Sequence, residues 1–182
     1  MQRWASSLAG AVGLLVLAPP LSGFAAEKPP SAAEAAAPQE IGGAKGWTAY
    51  SYAEKKGKVC YLLGRPAKSE PASRGRIDAM VTERPHDKQF NVVSFDAGVP
   101  FKEGSDVALD IDGHGFSLFS DKESAWARDA ATDKAVTEAL AKGRRAVLKG
   151  TTSRGATLTQ SYALDGFAEA LAAIDKACGV KR

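Results

Sequence analysis

Residues 106–121, DVALDIDGHGFSLFSD, carry the clearest local pattern in the chain. Val107, Leu109 and Ile111 alternate with Ala108 and Asp110, the period of a strand with one buried face. Asp112-Gly113 follows, a dipeptide that accepts the positive φ of a tight two-residue turn. Phe116 and Leu118 then carry a return strand. This stretch predicts an antiparallel hairpin, and it sets the class of the whole domain.

Working outward, the period changes after the segment SAWARD, residues 124–129. Ala131, Ala135, Val136, Ala139 and Leu140 form a helical stripe, with Asp129 or Thr132 placed to cap it and Gly143 to stop it. Residues 144–164 return to strands around a Ser153-Arg154-Gly155 turn. A closing helix is predicted from an Asp165 N-cap to a Gly179 stop. On the other side, GWTAYSYA (46–53), KVCYLLG (58–64), RIDAMVTE (76–83) and QFNVVSFD (89–96) read as strands. RPAKSEPASRG (65–75) reads as loop, and RPHDK joins the last two strands. The expected order is five or six strands, a helix, two strands and a helix. That is a mainly β (α+β) domain: an antiparallel β-sandwich-like or partly closed sheet with two helices, the last C-terminal.

The first residues do not belong to that domain. Arg3 is followed by an uncharged run from Trp4 to Ala26, with Leu14–Leu17 at its heart and Pro19-Pro20 before a small-residue exit. These are the parts of a secretory signal peptide; Gly23 and Ala25 favour a cut after Ala25, with Ala26 the alternative, giving residues 1–25 as the leader. The competing reading is an uncleaved anchor, which the two prolines interrupt. Residues 26–45 are rich in Ala and Pro and poor in large apolar groups, and read as a disordered linker. Residues 46–182 are then a single folded domain. No later segment is apolar for long enough to span a bilayer as a helix. The formal net charge of +3 is mild and scattered, which argues against a nucleic-acid partner.

Cys60 and Cys178 are the only cysteines. In an exported chain an even count is a candidate disulfide. Phe167, Leu171, Ile174 and Cys178 share one helix face, so Cys178 faces the core, where a bond would staple the last helix to the strand carrying Cys60. There is no C-x-x-C for redox catalysis, and His86 and His114 are too few, with two cysteines, for a zinc site. Asp110-Ile111-Asp112-Gly113 resembles a calcium loop but lacks the further oxygen ligands, so it reads as hairpin chemistry. No G-x-S-x-G nucleophile elbow occurs. These readings make the protein a non-enzyme with no catalytic, metal or cofactor residues. The alternative is an envelope enzyme or small-ligand binder built around His114, Asp110 and Asp112.

Two surface readings remain. Trp47, Tyr50, Tyr52 and Tyr61 are dense aromatics in the first two strands, either a packed face or, if turned outward, a contact patch. Arg74, Arg76, Lys142, Arg144, Arg145, Lys149 and Arg154 would make a cationic rim if their loops converge, or a solvated face if not. Trp47, Tyr50, Tyr52, Arg144 and Arg145 are the candidate contact residues.

The runs GRPAKSEPASRGRIDAMVTERP, FKEGSDVALDIDGHGFSLFSDKESAWARDAATDKAV and KGTTSRGATLTQSYALDGF together resemble the invasion-associated locus B family of small exported alphaproteobacterial proteins. The resemblance covers Trp47 to Cys178. Its most specific blocks are AWARDAATDKA at 125–135 and the S-Y-x-L-x-G-F pattern at 161–167, with Ala163 where members often have serine. It implies a β-rich fold, a periplasmic or secreted location, and a role in host-cell association or invasion. The partner it implies is an envelope or host-surface protein, with no active site to carry over.

Overall fold

The structure is a computed structural model that describes residues 37–72 and 75–182. Nine strands come first: β1 (Gln39–Ala44), β2 (Trp47–Glu54), β3 (Gly57–Gly64), β4 (Lys68–Glu70), β5 (Asp78–Arg84), β6 (Gln89–Asp96), β7 (Asp106–Ile111), β8 (His114–Asp121) and β9 (Ser124–Trp126). Helix α1 (Ala130–Lys142), strands β10 (Arg145–Thr151) and β11 (Thr157–Ala163), and helix α2 (Phe167–Cys178) follow. All eleven strands join one antiparallel sheet in the order β1-β2-β3-β5-β6-β9-β8-β7-β10-β11-β4. The sheet is unclosed, and the protein is mainly β with its last helix at the C-terminal end.

The sheet curls until its two halves meet face to face. Tyr162 of β11 sets its ring 5.6 Å from Phe95 of β6. The buried Gln160 beside it donates from Nε2 to the Ala97 carbonyl at 3.1 Å and accepts the Tyr162 hydroxyl at 3.0 Å. Burial drives the Tyr162 hydroxyl's pKa strongly upward, with the nearby Asp78 and Asp96 adding to it. The core between the halves includes Leu62, Val81, Phe95, Leu109, Leu148 and Leu158, and α2 adds Phe167, Leu171 and Ile174. No buried side-chain polar atom among the described residues lacks a partner.

Helix α1 starts where expected. Asp129 is its N-cap, accepting the Thr132 amide at 2.7 Å, and this bond holds its carboxyl pKa down. The helix then docks on β6 through polar bonds. Strand β6 pairs with β9 only from Ser94 onward. Upstream of that point, Asp133 accepts the Val93 amide at 2.8 Å and Thr137 donates to the Asn91 carbonyl at 3.4 Å. The helix thus supplies partners that a neighbouring strand does not. Desolvation there raises the Asp133 carboxyl pKa.

Cys60 and Cys178 are bonded, with Cα atoms 6.0 Å apart and a sequence separation of 118. Closing a loop of that length stabilises the fold by about 5 kcal/mol in the chain-entropy account. The bond joins the end of α2 to β3.

Four expectations need correction. The stretch assigned as linker, residues 26–45, contains strand β1 from Gln39 to Ala44. Its small residues are what let it pair: Gly42 and Gly43 sit at φ 154° and 147°, and a Cβ on Gly43 would lie 2.3 Å from the Trp47 carbonyl oxygen. The loop assigned to 65–75 contains β4, paired with β11. Pro85–Asp87 forms a single 3-10 turn. Finally, α2 is capped by Gly166 in the left-handed region, without a side-chain bond, while the Asp165 carboxylate turns outward to Lys45 at 3.3 Å. The expected signal peptide, residues 1–25, lies outside the described residues, as does the linker up to residue 36.

Candidate functional site

Strand parity decides which aromatics are available. In β2, Trp47 and Ala49 share one face, while Tyr50 and Tyr52 sit on the other. The first face meets α2, where Trp47 is 3% exposed. Its ring lies 4.9 Å from that of Phe167 in an edge-to-face contact, and its Nε1 donates to the Ala163 carbonyl at 2.9 Å. Its cross-strand neighbour must be Gly64, since a Cβ there would fall 2.5 Å from two carbons of the indole. Trp47 is therefore a core residue, and its placement among the contact residues is corrected.

The opposite face of β2, β3 and β5 is covered by neither helix. Tyr50 lies directly across from Tyr61, and their rings stack with centroids 5.2 Å apart at 20°. Tyr52 meets the same Tyr61 ring edge-on at 6.1 Å. Thr48, Leu63, Met80 and Thr82 surround them in register, half-buried. Among the described residues, the Tyr50 and Tyr61 hydroxyls have no hydrogen-bond partner. Desolvation raises the Tyr61 hydroxyl pKa, with Tyr50 adding to it.

Ion pairs bound this patch at both ends. Arg84 Nη1 grips both Glu54 oxygens at 2.9 Å, and its Nη2 donates to the Tyr52 hydroxyl at 3.3 Å. That hydroxyl in turn donates to Glu54 at 3.0 Å. The bond from Arg84, then that from Tyr52, lowers the Glu54 carboxyl pKa. At the far end Arg76 Nε bonds Asp78 at 2.6 Å and faces Asp96 at 3.6 Å. The result is a neutral patch of aromatic rings and hydroxyls between fixed charges. It offers contact area and hydrogen bonds.

The structure does not gather the arginines beside it. Arg144 and Arg145 are exposed, and β10 stands seven places from β2 in the sheet order. Their backbone amides donate to the two oxygens of Asp112 at 2.7 Å and 3.2 Å. Asp112 itself sits at φ 49°, as the Asp-Gly turn requires, and Asp110 accepts the Gly113 amide at 3.2 Å. Both carboxylates of the calcium-like motif thus hold backbone. Among the described residues no group of three His, Cys, Asp or Glu side chains is placed to bind a metal. Arg76 is committed to its carboxylates, and Arg74 lies outside the described residues.

His114 lines an open groove of about 410 Å³ with Ile111, Asp112, Phe116, Glu138 and Lys142. The groove runs between the β7–β8 turn and the last turn of α1. His86 is elsewhere, on the 3-10 turn, against Gly57 and 3.5 Å from Asp87.

The two most specific sequence blocks turn out to be joints. Residues 125–135 supply the α1 cap and the Asp133 dock, and residues 161–167 supply Tyr162, buried Leu164 and the Phe167 partner of Trp47. A family model described as invasion associated locus B (IalB) protein matches residues 47–175. The chain belongs to the IalB family. No curated protein and no solved structure matches it. Strand β1 precedes the matched IalB region, and the disulfide's Cys178 lies just beyond it.

Proposed function

We propose that this IalB protein is an exported, non-catalytic interaction protein of the bacterial envelope that docks a protein partner, envelope or host-surface, through its tyrosine face. The observation that carries this reading is the Tyr50–Tyr61 stack, joined by Tyr52, on a sheet face that no helix among the described residues covers. Tyrosines of this kind give large contact area at little cost in side-chain entropy, and they are over-represented among residues that dominate binding. The disulfide suits an oxidising compartment, periplasmic or extracellular. No helix among the described residues is long and apolar enough to cross a membrane. The family's association with invasion makes host-cell association the process to examine first.

The test is cross-linking of the tagged chain in its own envelope, followed by identification of what is caught. One recurrent protein, lost when Tyr50 and Tyr61 are both changed to serine, supports the reading. Recovery of uncombined chain alone refutes it. A second reading, small-ligand binding or catalysis, has one observation in its favour: the groove that holds His114, Asp112 and Lys142. It requires a turnover or ligand signal that His114→Ala removes.

A further inference from the structure

Glu83 is a charged residue in a dry place. Its exposure is 0%, and it sits at the irregularity between Thr82 and Arg84 where β5 slips against β6. One carboxylate oxygen accepts the Asn91 amide at 3.1 Å, and the other accepts Arg182 Nη2 at 3.0 Å. Arg182 is also fastened to Asp175 of α2, from Nε at 2.5 Å and from Nη2 at 2.9 Å, and it donates to the Asn91 side chain. One guanidinium therefore serves two carboxylates.

The position of Arg182 is set by the disulfide. Cys60 on β3 is the direct cross-strand neighbour of Glu83, and its partner Cys178 lies four residues before Arg182. Gly179 turns the chain in the left-handed region, and the Val180 amide returns to the Asp175 carbonyl at 2.9 Å. The tail thus doubles back over the bond and lays Arg182 on Glu83. The groups facing the carboxylate are Arg182 and Asp175 from α2 and its tail, Asn91 from β6, and the disulfide on the β3 side. On α1, Glu138 feels Arg182, and Thr137 bonds the Asn91 carbonyl. Without Arg182 this cluster holds two carboxylates and no cation of its own.

We infer that the Cys60–Cys178 bond and the Glu83–Arg182–Asp175 cluster form one redox-gated charge lock, in which reduction frees the end of α2 and withdraws Arg182 from Glu83. The reductant is a dithiol. It donates two electrons and two protons; the S–S bond breaks, each cysteine becomes a thiol, and the dithiol closes to its own disulfide. The abandoned Glu83 carboxylate then has only the Asn91 amide, and it must take up a proton or draw in water. Either outcome loosens α2 from β3 and β5 while the rest of the sheet keeps its core. Reduction at one point becomes a charge change at another.

By linkage, whatever Arg182 contributes to the oxidised form alone also resists reduction by the same factor. The full chain is equilibrated with dithiothreitol near neutral pH, and the reduced fraction is counted by alkylation and mass. Arg182→Ala is expected to shift the equilibrium toward the dithiol form about tenfold, within the usual range of such couplings. In a Glu83→Gln background the same change should move it by less than about threefold, because the buried charge that Arg182 serves is gone. An Arg182→Ala effect that is absent, or that persists undiminished beside Glu83→Gln, overturns the lock. Amide hydrogen exchange of the unaltered chain gives an answer that needs no variant. Loss of protection on reduction that is confined to residues 83–91 and 170–182 supports the lock. Unchanged protection there, or loss throughout the domain, refutes it.

Discussion

Trp47→Phe separates a core tryptophan from a contact tryptophan. The substitution keeps an aromatic ring against Phe167 but removes the indole N–H, which donates to the Ala163 carbonyl at 2.9 Å. Losing that bond and leaving the carbonyl short of a donor costs about 1–2 kcal/mol. The smaller ring leaves a void beside Gly64, whose missing Cβ the indole now occupies. Incomplete filling there adds about 1–2 kcal/mol. Together these give about 2–4 kcal/mol, or a fall in Tm of roughly 10 °C for a domain of this size. Urea unfolding followed by far-UV circular dichroism measures it, with disulfide intact in both proteins. Tyr50→Ser is the control, because it removes one stacked pair on the uncovered face and costs about 1 kcal/mol. If Trp47→Phe unfolds within about 0.5 kcal/mol of the parent, the burial argument fails and the residue belongs on a contact surface after all.

Gly64→Ala places a methyl against the Trp47 ring, 2.5 Å from two of its carbons, and should cost about 1–3 kcal/mol in the same assay; a neutral outcome would mean the indole moves freely. Asp133 has its carboxyl pKa raised by desolvation. Its contribution is therefore fully present below the unfolded-state pKa and lost as pH rises through the folded one. The stability difference between parent and Asp133→Asn should accordingly shift in favour of the parent as pH falls from about 7 to about 4, and the opposite slope would contradict it. Changing Tyr50 and Tyr61 together to serine should leave the fold intact and cut partner capture by more than about tenfold. Arg144→Ala with Arg145→Ala should leave capture unchanged, since those side chains lie elsewhere on the sheet, and an equal loss from both pairs would move the contact surface.

Much of this architecture was legible where a local rule governs a local outcome. The Val107-Leu109-Ile111 alternation and Asp112-Gly113 specify their hairpin because strand period and turn φ are properties of neighbouring residues. Asp129 caps its helix for the same reason. Cys60 and Cys178 were readable because, within one chain, two cysteines allow a single pairing. Strand β1 was not readable, since Gly42 and Gly43 look like linker until β2 and α2 are beside them to demand a residue without a side chain. Strand β4 is three residues long and exists only because β11 returns to it from about ninety residues away. The aromatic face was half legible. Parity alone places Trp47 opposite Tyr50 and Tyr52, but only pairing with β3 shows that Tyr61 shares their face and stacks on Tyr50. The Glu83–Arg182 contact joins residues 99 positions apart, and no periodicity announces it.

The disulfide has a topological consequence as well as an energetic one. Ten of the fourteen regular elements among the described residues, β4 through β11 with their 3-10 turn and α1, lie entirely inside the ring that Cys60 and Cys178 close. A single backbone cleavage anywhere in that ring, including the segment between β4 and β5, yields two pieces that remain one covalent molecule. Without reductant such a nicked protein migrates as one species, and its sheet holds both pieces in register. Among the described residues, what one cut can release lies outside the ring: the chain before Cys60, with β1 and β2, at one end and the Arg182 tail at the other.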